Sequence, residues 1–258
     1  MEIISKVSKG SKMDQIYIPK NRYGFSVGSP VIIKSLEEER IIEKPYFYNI
    51  NYIEPIKLDI INKIINIIDK NYSYENVIFT GSFLDKGFNF EDIDVLLITE
   101  SDADIKEKIE STIGIKTHII SIDNKTLIKG LSTDPIYIMM LSKCISRKRF
   151  IYDVKTEMNY KLLDLHLLKS KTLIDNFDIL NGSEKYYLTR NLISIYIYAN
   201  SKKISKEIVD NEIKKIFDVG VKEIKENILN KKIFLGKYKD IYGKTFKELI
   251  RHIKNGSK

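Results

Sequence analysis

The residues of this chain with the clearest capacity for chemistry are a Gly-Ser pair and two aspartates that follow it. Gly81 and Ser82 end a short apolar run, and after nine intervening residues Asp92 and Asp94 open a second one. Because residues i and i+2 of a strand point to the same face, the spacing predicts that both carboxylates project together. Neighbouring carboxylates repel each other unless a cation lies between them. Since Mg²⁺ favours one or two carboxylates plus substrate phosphates, the pair predicts a Mg²⁺ site.

The Gly-Ser pair offers the complementary feature, a place for phosphate. Gly81 permits a sharp turn and a close approach by a phosphate group. Ser82 and the backbone N–H groups that follow it can donate to phosphate oxygens. Lys86, in the next loop, is either a further phosphate contact or a solvated loop lysine. The turn and the carboxylates together predict metal-assisted phosphoryl or nucleotidyl transfer.

The elements that position these residues follow from the hydrophobic periodicity. Apolar runs predict strands over 76–80, 92–99, 114–122 and 150–154, and the β-branched runs over 15–19 and 30–36 predict the strands of an N-terminal hairpin or small β-unit. Helical spacing predicts helices over 56–70, 101–111 and 135–144, the last of which includes Cys144. Beyond residue 155 strand signals are nearly absent, and helices are predicted over 158–175, 183–199, 205–227 and 237–254.

Three regions are predicted from this pattern. Residues 1–55 form an N-terminal β-unit, residues 56–155 a central core, and residues 156–258 a helical bundle. The predicted fold class is therefore α+β, with a mixed sheet, an N-terminal β-hairpin unit and a C-terminal helical bundle.

The central stretch resembles the signature of the DNA polymerase β-like nucleotidyltransferase superfamily. That signature is an apolar residue, Gly and Gly or Ser, a spacer, then Asp–apolar–Asp or Glu–apolar. Here the matching residues are Thr80, Gly81 and Ser82, followed by 92–95. The resemblance covers about residues 56–125, and a helical C-terminal part is typical of the minimal and aminoglycoside-type members.

The resemblance implies a nucleotidyltransferase-fold sheet and a separate role for each of the matching residues. Gly81 and Ser82 would hold the triphosphate of an NTP, with ATP the favoured donor, and Asp92 and Asp94 would ligate one or two Mg²⁺. A third carboxylate from the next strand would help to deprotonate the attacking hydroxyl. The acceptor stays open among an RNA end, a protein side chain and a small molecule.

The sequence departs from the superfamily pattern at the third acid. The strand over 114–122 has no carboxylate, and His118 stands about where the acid is expected. A histidine there can act as a base or a weak metal ligand, and it can equally be a structural residue. Asp123, just past the strand, is interpreted as the N-cap of a helix that starts at Asn124.

The N-terminal region carries a second, fainter resemblance. Within residues 16–36, the order Ile-Pro-Lys, then Gly, then Val is similar to the sequence pattern of the swapped-hairpin DNA-binding domains of the AbrB type. The resemblance implies a basic hairpin that contacts nucleic acid, with Lys20 and Arg22 on phosphates. A plain hairpin that packs on the core is the alternative interpretation.

Composition sets the remaining limits. The net charge of +8 favours acidic partners such as nucleotides or nucleic acid, although codon bias toward lysine accounts for it equally well. The one cysteine allows no disulfide within the chain, and neither a signal peptide nor a membrane-spanning run is evident. These features predict a soluble, cytoplasmic protein without membrane partners.

Three classes of function fit these observations. The first is an enzyme that transfers NMP from an NTP to a hydroxyl. The second is a degenerate nucleotidyltransferase-fold protein that binds nucleotide or nucleic acid as a regulatory module, and the missing third acid motivates it. The third is a structural adaptor, which would tolerate substitutions at Gly81 and Ser82.

Overall fold

The computed structural model describes residues 5–20, 24, 26–31, 44–100, 105–149 and 154–256. The chain divides into two compact units, Met1–Ile42 and Glu43–Lys258. The fold is of the mixed α and β class that the sequence predicts, with a five-stranded mixed sheet, a two-stranded sheet and many helices.

The N-terminal unit contains a small antiparallel pair of strands, β1 (Val7–Ser8) and β2 (Gln15–Ile16). The predicted strand from Gln15 is thus confirmed only for its first two residues, and its partner is the preceding segment. The predicted partner over 30–36 lies outside the described residues from position 32 onward. Lys20 is exposed, and Arg22 lies outside the described residues.

The second unit is organised around a five-stranded sheet in the order β3-β7-β4-β5-β6. Its strands are β3 (Tyr46–Tyr48), β4 (Asn76–Thr80), β5 (Ile93–Ile98), β6 (Thr117–Ile122) and β7 (Cys144–Ser146). Strands β5 and β6 run parallel, while β4 is antiparallel to both β5 and β7. All five residues of the central strand β4 are buried, as expected for a strand that is covered on both faces.

Helices cover both faces of this sheet. On one face lie α1 (Pro55–Asn71) and α2 (Lys106–Ile113), and on the other α3 (Asn124–Thr133) and α4 (Pro135–Leu141). In α1 a stripe of buried isoleucines packs against the sheet, namely Ile61, Ile64, Ile65 and Ile68. Asp123 caps α3 as predicted, because its Oδ1 accepts the N–H of Thr126 at 2.7 Å.

The C-terminal part is helical, as predicted. It comprises α5 (Tyr160–Asp175), α6 (Gly182–Ala199), α7 (Lys206–Phe217), α8 (Val221–Lys225) and α9 (Lys231–Gly256). The helix α6 is buried along most of its length and lies at the centre of this core. Met139 of α4 also joins the helical core, whereas Leu141 of the same helix packs on the sheet.

Two local predictions differ from the structure, and a third lies almost wholly outside the described residues. Cys144 begins strand β7, because α4 ends at Leu141 and the chain turns back beside β4. The predicted strand over 150–154 lies outside the described residues except for position 154, which is not in a strand. The helix predicted over 205–227 breaks at Asp218, which adopts φ 57° and ends α7.

The domain boundaries near 55 and 155 stay a prediction. The division between the two compact units falls between Ile42 and Glu43, and β3 pairs with β7 in the larger sheet. Among the helices that the structure describes, none combines the length and apolar character needed to cross a membrane.

Candidate active site

One end of the five-stranded sheet brings together most of the residues that the sequence predicts for the site. Strands β3 and β4 finish at this end, and β5, β6 and β7 begin there. The positions just beyond or at these strand ends are, in sheet order, Asn49, Lys143, Gly81, Asp92 and His118. We call this end of the sheet the site end. Since neighbouring strands lie about 4.8 Å apart, residues on adjacent strands here can act on one ligand.

The carboxylate of Asp94 lies directly against the Gly81 turn. Asp94 is paired with Thr80 across β4 and β5, and Gly81 follows with φ 83°, a conformation that favours glycine. A Cβ atom built on Gly81 would lie 2.0 Å from Asp94 Oδ2. Any side chain at position 81 would therefore displace the carboxylate, so the turn and the acid are fitted to each other.

The two aspartates act on each other electrostatically. Burial, and next the negative charge of Asp92, raise the pKa of Asp94 above its ordinary value, and His118 and Arg190 oppose this shift. The side chain of Asp94 is 35% exposed, so it is reachable from solvent. A carboxylate held partly buried beside a second carboxylate favours a cation as its partner.

The third predicted residue, His118, is brought to the same place by strand pairing. His118 lies opposite Asp94 in the parallel β5–β6 register, and its Nδ1 is 3.3 Å from Asp94 Oδ1. The imidazole is 60% exposed. When Nδ1 carries the proton and donates to Asp94, the exposed Nε2 is left as a proton acceptor.

The loop after the Gly-Ser turn is fastened to α1 by a buried lysine. Lys57, only 1% exposed, donates from Nζ to the carbonyls of Asp85 at 2.5 Å and Gly87 at 2.6 Å. Its ammonium also lies 3.1 Å from Glu54 Oε2, while Glu54 Oε1 accepts the N–H of Gly87 at 2.8 Å. These contacts fix the path of the loop that joins Ser82 to Asp92.

The rings of three phenylalanines complete the surroundings of Lys57. Its Nζ is 5.5–5.8 Å from the ring centroids of Phe83, Phe88 and Phe90. Such cation–π contacts further stabilise a buried ammonium. Sequence reasoning missed Lys57, because a lysine near the start of an amphipathic helix is usually solvated.

Ser82 and Lys86 have different placements. Ser82 begins a 3₁₀ turn, Ser82–Leu84, and the first N–H groups of any helix have no partner within the helix. Lys86 is exposed, and its Nζ lies 6.0 Å from the centroid of the Tyr52 ring. Within the described residues, neither a hydrogen bond nor an ion pair joins Lys86 to the Gly-Ser turn.

A cavity of about 750 Å³ opens at the site end, on the β7 side of the turn. It is lined by polar groups of the sheet end and of the helices, among them Asp85, Ser142, Lys143, Tyr186, Lys206 and Asp210. Asp85 belongs to the loop after the turn, and α6 and α7 supply Tyr186 and Lys206. The cavity therefore lies between the turn and the helical part of the same compact unit.

Asp85 is the charged centre of one cavity wall. Its carboxylate accepts from Lys143 Nζ at 2.7 Å and from Lys206 Nζ at 2.7 Å. Burial alone would raise the pKa of Asp85, but Lys206 and Lys143 together hold that pKa below its ordinary value. The sequence gives no signal for this cluster, since its members are separated by up to 121 positions.

The metal-ligating capacity of the site is limited to the aspartate pair. Within the part of the chain that the structure describes, no three His, Cys, Asp or Glu side chains group so as to hold a metal ion. The pair Asp92 and Asp94 nevertheless fits Mg²⁺, because two partly exposed carboxylates supply the oxygens that Mg²⁺ takes from protein while substrate phosphates and water complete its shell.

No family model, no curated protein and no solved structure matches this chain.

Proposed function

We propose that this chain is a Mg²⁺-dependent nucleotidyltransferase that transfers NMP from an NTP to a hydroxyl acceptor. The observation that carries the proposal is the convergence at the site end, where Asp94 lies against Gly81 and beside His118. The resemblance of this stretch to the DNA polymerase β-like superfamily supports the same activity. ATP is the favoured donor, and a cytoplasmic location belongs to the same proposal.

The residues take the following parts. Asp92 and Asp94 would hold Mg²⁺, which when bound neutralises phosphate charge and polarises the phosphorus under attack. Gly81 makes room for the Asp94 carboxylate at the turn, and the turn would hold the triphosphate through Ser82 and the backbone N–H groups that follow it, which donate to phosphate oxygens. His118 Nε2 accepts the proton of the acceptor hydroxyl, while the Nδ1–H of His118 stays hydrogen-bonded to Asp94.

Every bond and proton of the transfer is accounted for by these groups and the two substrates. The acceptor oxygen forms a bond to the α-phosphorus, the bond between the α-phosphorus and the bridging oxygen breaks, and pyrophosphate leaves. The hydroxyl proton passes to His118, whose orientation is set by Asp94. A histidine base in this position would do the work of the third carboxylate that the superfamily pattern expects.

The experiment that tests the proposal is calorimetric titration of ATP, GTP, CTP and UTP, each with Mg²⁺, into wild type and the Asp92→Asn/Asp94→Asn variant. We expect Mg²⁺-dependent binding in wild type and its loss in the variant. The matched control is Asp164→Asn/Asp240→Asn, which removes two exposed carboxylates from α5 and α9. A folded wild type that binds no nucleotide would contradict the proposal.

A second candidate function is nucleotide binding without transfer, as a regulatory module. The observation that favours it is His118 at the place of the expected acid. Wild type would then bind nucleotide but transfer no labelled NMP to RNA, protein or small-molecule acceptors. In that case the Asp92→Asn/Asp94→Asn variant would keep most of its affinity.

A further inference from the structure

Asp85, three residues after Ser82, is bound through its backbone and its side chain at once. Its N–H donates to the Ser82 carbonyl at 3.0 Å and closes the 3₁₀ turn. Its own carbonyl accepts from the buried ammonium of Lys57 at 2.5 Å. Both carboxylate oxygens accept from Lys206 Nζ at 2.7 Å, and Oδ1 also accepts from Lys143 Nζ at 2.7 Å. The end of the Gly-Ser turn is therefore held at one residue from several directions.

The two lysines that bind this carboxylate belong to different parts of the fold. Lys143 immediately precedes β7, and Lys206 is the first residue of α7 in the helical part. The N–H of Lys206 also donates at 2.9 Å to the hydroxyl of Ser142, the residue before Lys143. Asp85, Lys206 and the segment 142–143 thus form a closed ring of contacts. Through this ring the helical part is fastened to the loop that follows the turn.

The residue before the turn is fastened as well. Thr80, the last residue of β4, is buried, and its hydroxyl donates to the carbonyl of Met140 in α4 at 2.9 Å. The turn is therefore anchored on both sides, by Thr80 in front of it and by Asp85 behind it. Because Asp94 is paired with Thr80 and lies against Gly81, the same anchors set the position of the turn relative to the carboxylates.

Two ammonium groups and one carboxylate beside a phosphate site have two conceivable uses. The lysines can attract the phosphates directly, or the three groups can brace the loop. The contacts favour bracing, because a lysine that moved to a phosphate would release Asp85 and, with it, one anchor of the turn. The side chains of Lys143 and Lys206 are only 26% and 22% exposed, as expected for cations committed to a partner in the protein.

We infer that Asp85 is a positioning residue that, through its two lysine partners, keeps the Gly-Ser turn in place beside Asp92 and Asp94 for the phosphates of the nucleotide. The inference rests on the proposed function. Asp85 itself contacts neither nucleotide nor metal, and α7 acts on the site through Lys206 without binding phosphate. Such bracing matters because a misplacement of about 1 Å within a site can cost about a hundredfold in rate.

The test is calorimetric titration of the full chain, with Mg²⁺, using whichever of ATP, GTP, CTP and UTP binds wild type most tightly. We expect Asp85→Asn to weaken binding by about threefold to thirtyfold, although it removes a negative charge near the phosphates. Lysines that bound phosphate directly would be released by Asp85→Asn, and binding would then tighten. The two uses of the cluster therefore predict changes of opposite sign.

The lysine partner extends the test. Lys206→Met should weaken nucleotide binding to a similar extent as Asp85→Asn, because it breaks the same ion pair. The double variant should lose no more than either single variant, since the two residues act as one unit. Lys206→Arg, which can keep the ion pair with Asp85, should restore most of the affinity.

Two controls separate positioning from charge and from stability. Lys203→Met removes the charge of an exposed lysine that lines the same cavity, and its affinity should stay within about twofold of wild type. Ile213→Val shortens a buried side chain of α7 and lowers stability away from the loop, so its affinity should be unchanged. Circular dichroism and thermal unfolding establish that each variant is folded at the temperature of the titration.

The outcomes separate the inference from the proposed function. If wild type binds nucleotide and Asp85→Asn binds it as tightly or more tightly, the inference is wrong and the proposed function stands. If a folded wild type binds none of the four nucleotides, both are wrong. Should Asp85→Asn unfold, Lys206→Met decides the matter: weaker binding than that of Lys203→Met supports the inference, and equal binding contradicts it.

Discussion

Asp85 and Asp94 lie at the same end of the sheet, beside the same turn, and their side chains are equally exposed at 35%. Their electrostatic surroundings are opposite. Two lysines bind Asp85 and, against the effect of burial, hold its pKa below the ordinary value. Burial and the charge of Asp92 raise the pKa of Asp94, and its nearest polar partner is a histidine.

The difference separates Asp85, whose charge is balanced by two lysines, from Asp94, which forms no ion pair with a lysine or an arginine among the described residues. Asp85 joins the loop after the turn to α7 and to the start of β7, so its charge is used in the structure. Asp94 is held against Gly81 at an electrostatic cost, which is the usual condition of residues placed for function rather than stability. The two residues can therefore be distinguished by substitution.

The largest expected effect comes from Gly81→Ala. Alanine disfavours the positive φ of this position, and its Cβ would displace the Asp94 carboxylate, so unfolding free energy should fall by about 3 kcal/mol. Gly114→Ala is the control, because Gly114 has φ 73° with no atom near its Cβ position and should lose only about 1 kcal/mol. Urea denaturation measures both.

A double-mutant cycle sharpens the result for Gly81. In an Asp94→Ala background the extra cost of Gly81→Ala should shrink, because the oxygen that the new Cβ meets is gone. Equal costs in both backgrounds would show that Gly81 and Asp94 are not coupled.

The next largest effect is expected for Lys57→Met, on the Asp85 side of the turn. Loss of the ammonium leaves Glu54 and the carbonyls of Asp85 and Gly87 without their donor, so stability should fall by about 2–3 kcal/mol. Hydrogen exchange should rise at loop amides, including the N–H of Gly87. Lys63→Met, at an exposed position of α1, is the control and should change neither quantity.

A smaller loss is expected for Asp85→Asn. Removing this charge leaves Lys143 and Lys206 unpaired and facing each other, and because the site is partly exposed we expect a loss of about 1–2 kcal/mol at neutral pH. Thermal unfolding of Asp85→Asn against Asp240→Asn, an exposed control, measures the difference. No difference between them would contradict the structural role of Asp85.

The pH dependence of the Asp85 contribution has a defined sign. Because the folded pKa lies below the unfolded value of about 3.9, the contribution is complete above that pH. It is lost as the pH falls through the lower folded pKa. The gap between wild type and Asp85→Asn should therefore persist at pH 5 and close only in strong acid.

The smallest effect, and the one of opposite sign, is expected for Asp94→Asn in metal-free protein. Removing a charge that is disfavoured by burial and by Asp92 should raise stability at neutral pH, and because solvent screens this partly exposed carboxylate the gain should stay below about 1 kcal/mol. Because the folded pKa of Asp94 lies above the unfolded value, wild type loses stability as pH rises between the two. The advantage of the variant should therefore vanish below about pH 4.

Added Mg²⁺ should make wild type more stable than Asp94→Asn, the reverse of the order expected in metal-free protein. Wild type should gain stability that grows as RT ln(1 + c/Kd), where c is the free Mg²⁺ concentration, whereas Asp94→Asn should gain little. Thermal unfolding with and without Mg²⁺ and nucleotide checks this. If Asp94→Asn were less stable than wild type in chelator, Asp94 would be a structural residue like Asp85.

The sequence by itself determined the elements that carry the aspartates and the turn, and with them one half of the site. The apolar runs predict β4, β5 and β6 and the amphipathic α1, because periodicity reports which face of an element is buried. The spacing of Gly81 from Asp94 places them at the end of one antiparallel pair, since both positions are local to strands joined by a single loop. Such features depend on neighbours in sequence.

Only the tertiary structure decided the other half. Strand β7 pairs with β4, so the helix predicted over 135–144 ends early, at Leu141. Long-range strand pairing decides where this helix ends, and local propensity does not. The pairing of Asp85 with Lys206 and the burial of Lys57 also depend on contacts between elements far apart in the chain. The sequence does not show whether the partner of a charged residue is water, a carboxylate or a ligand. The electrostatic free energy of such a residue depends on its neighbours in space, and the fold determines those neighbours.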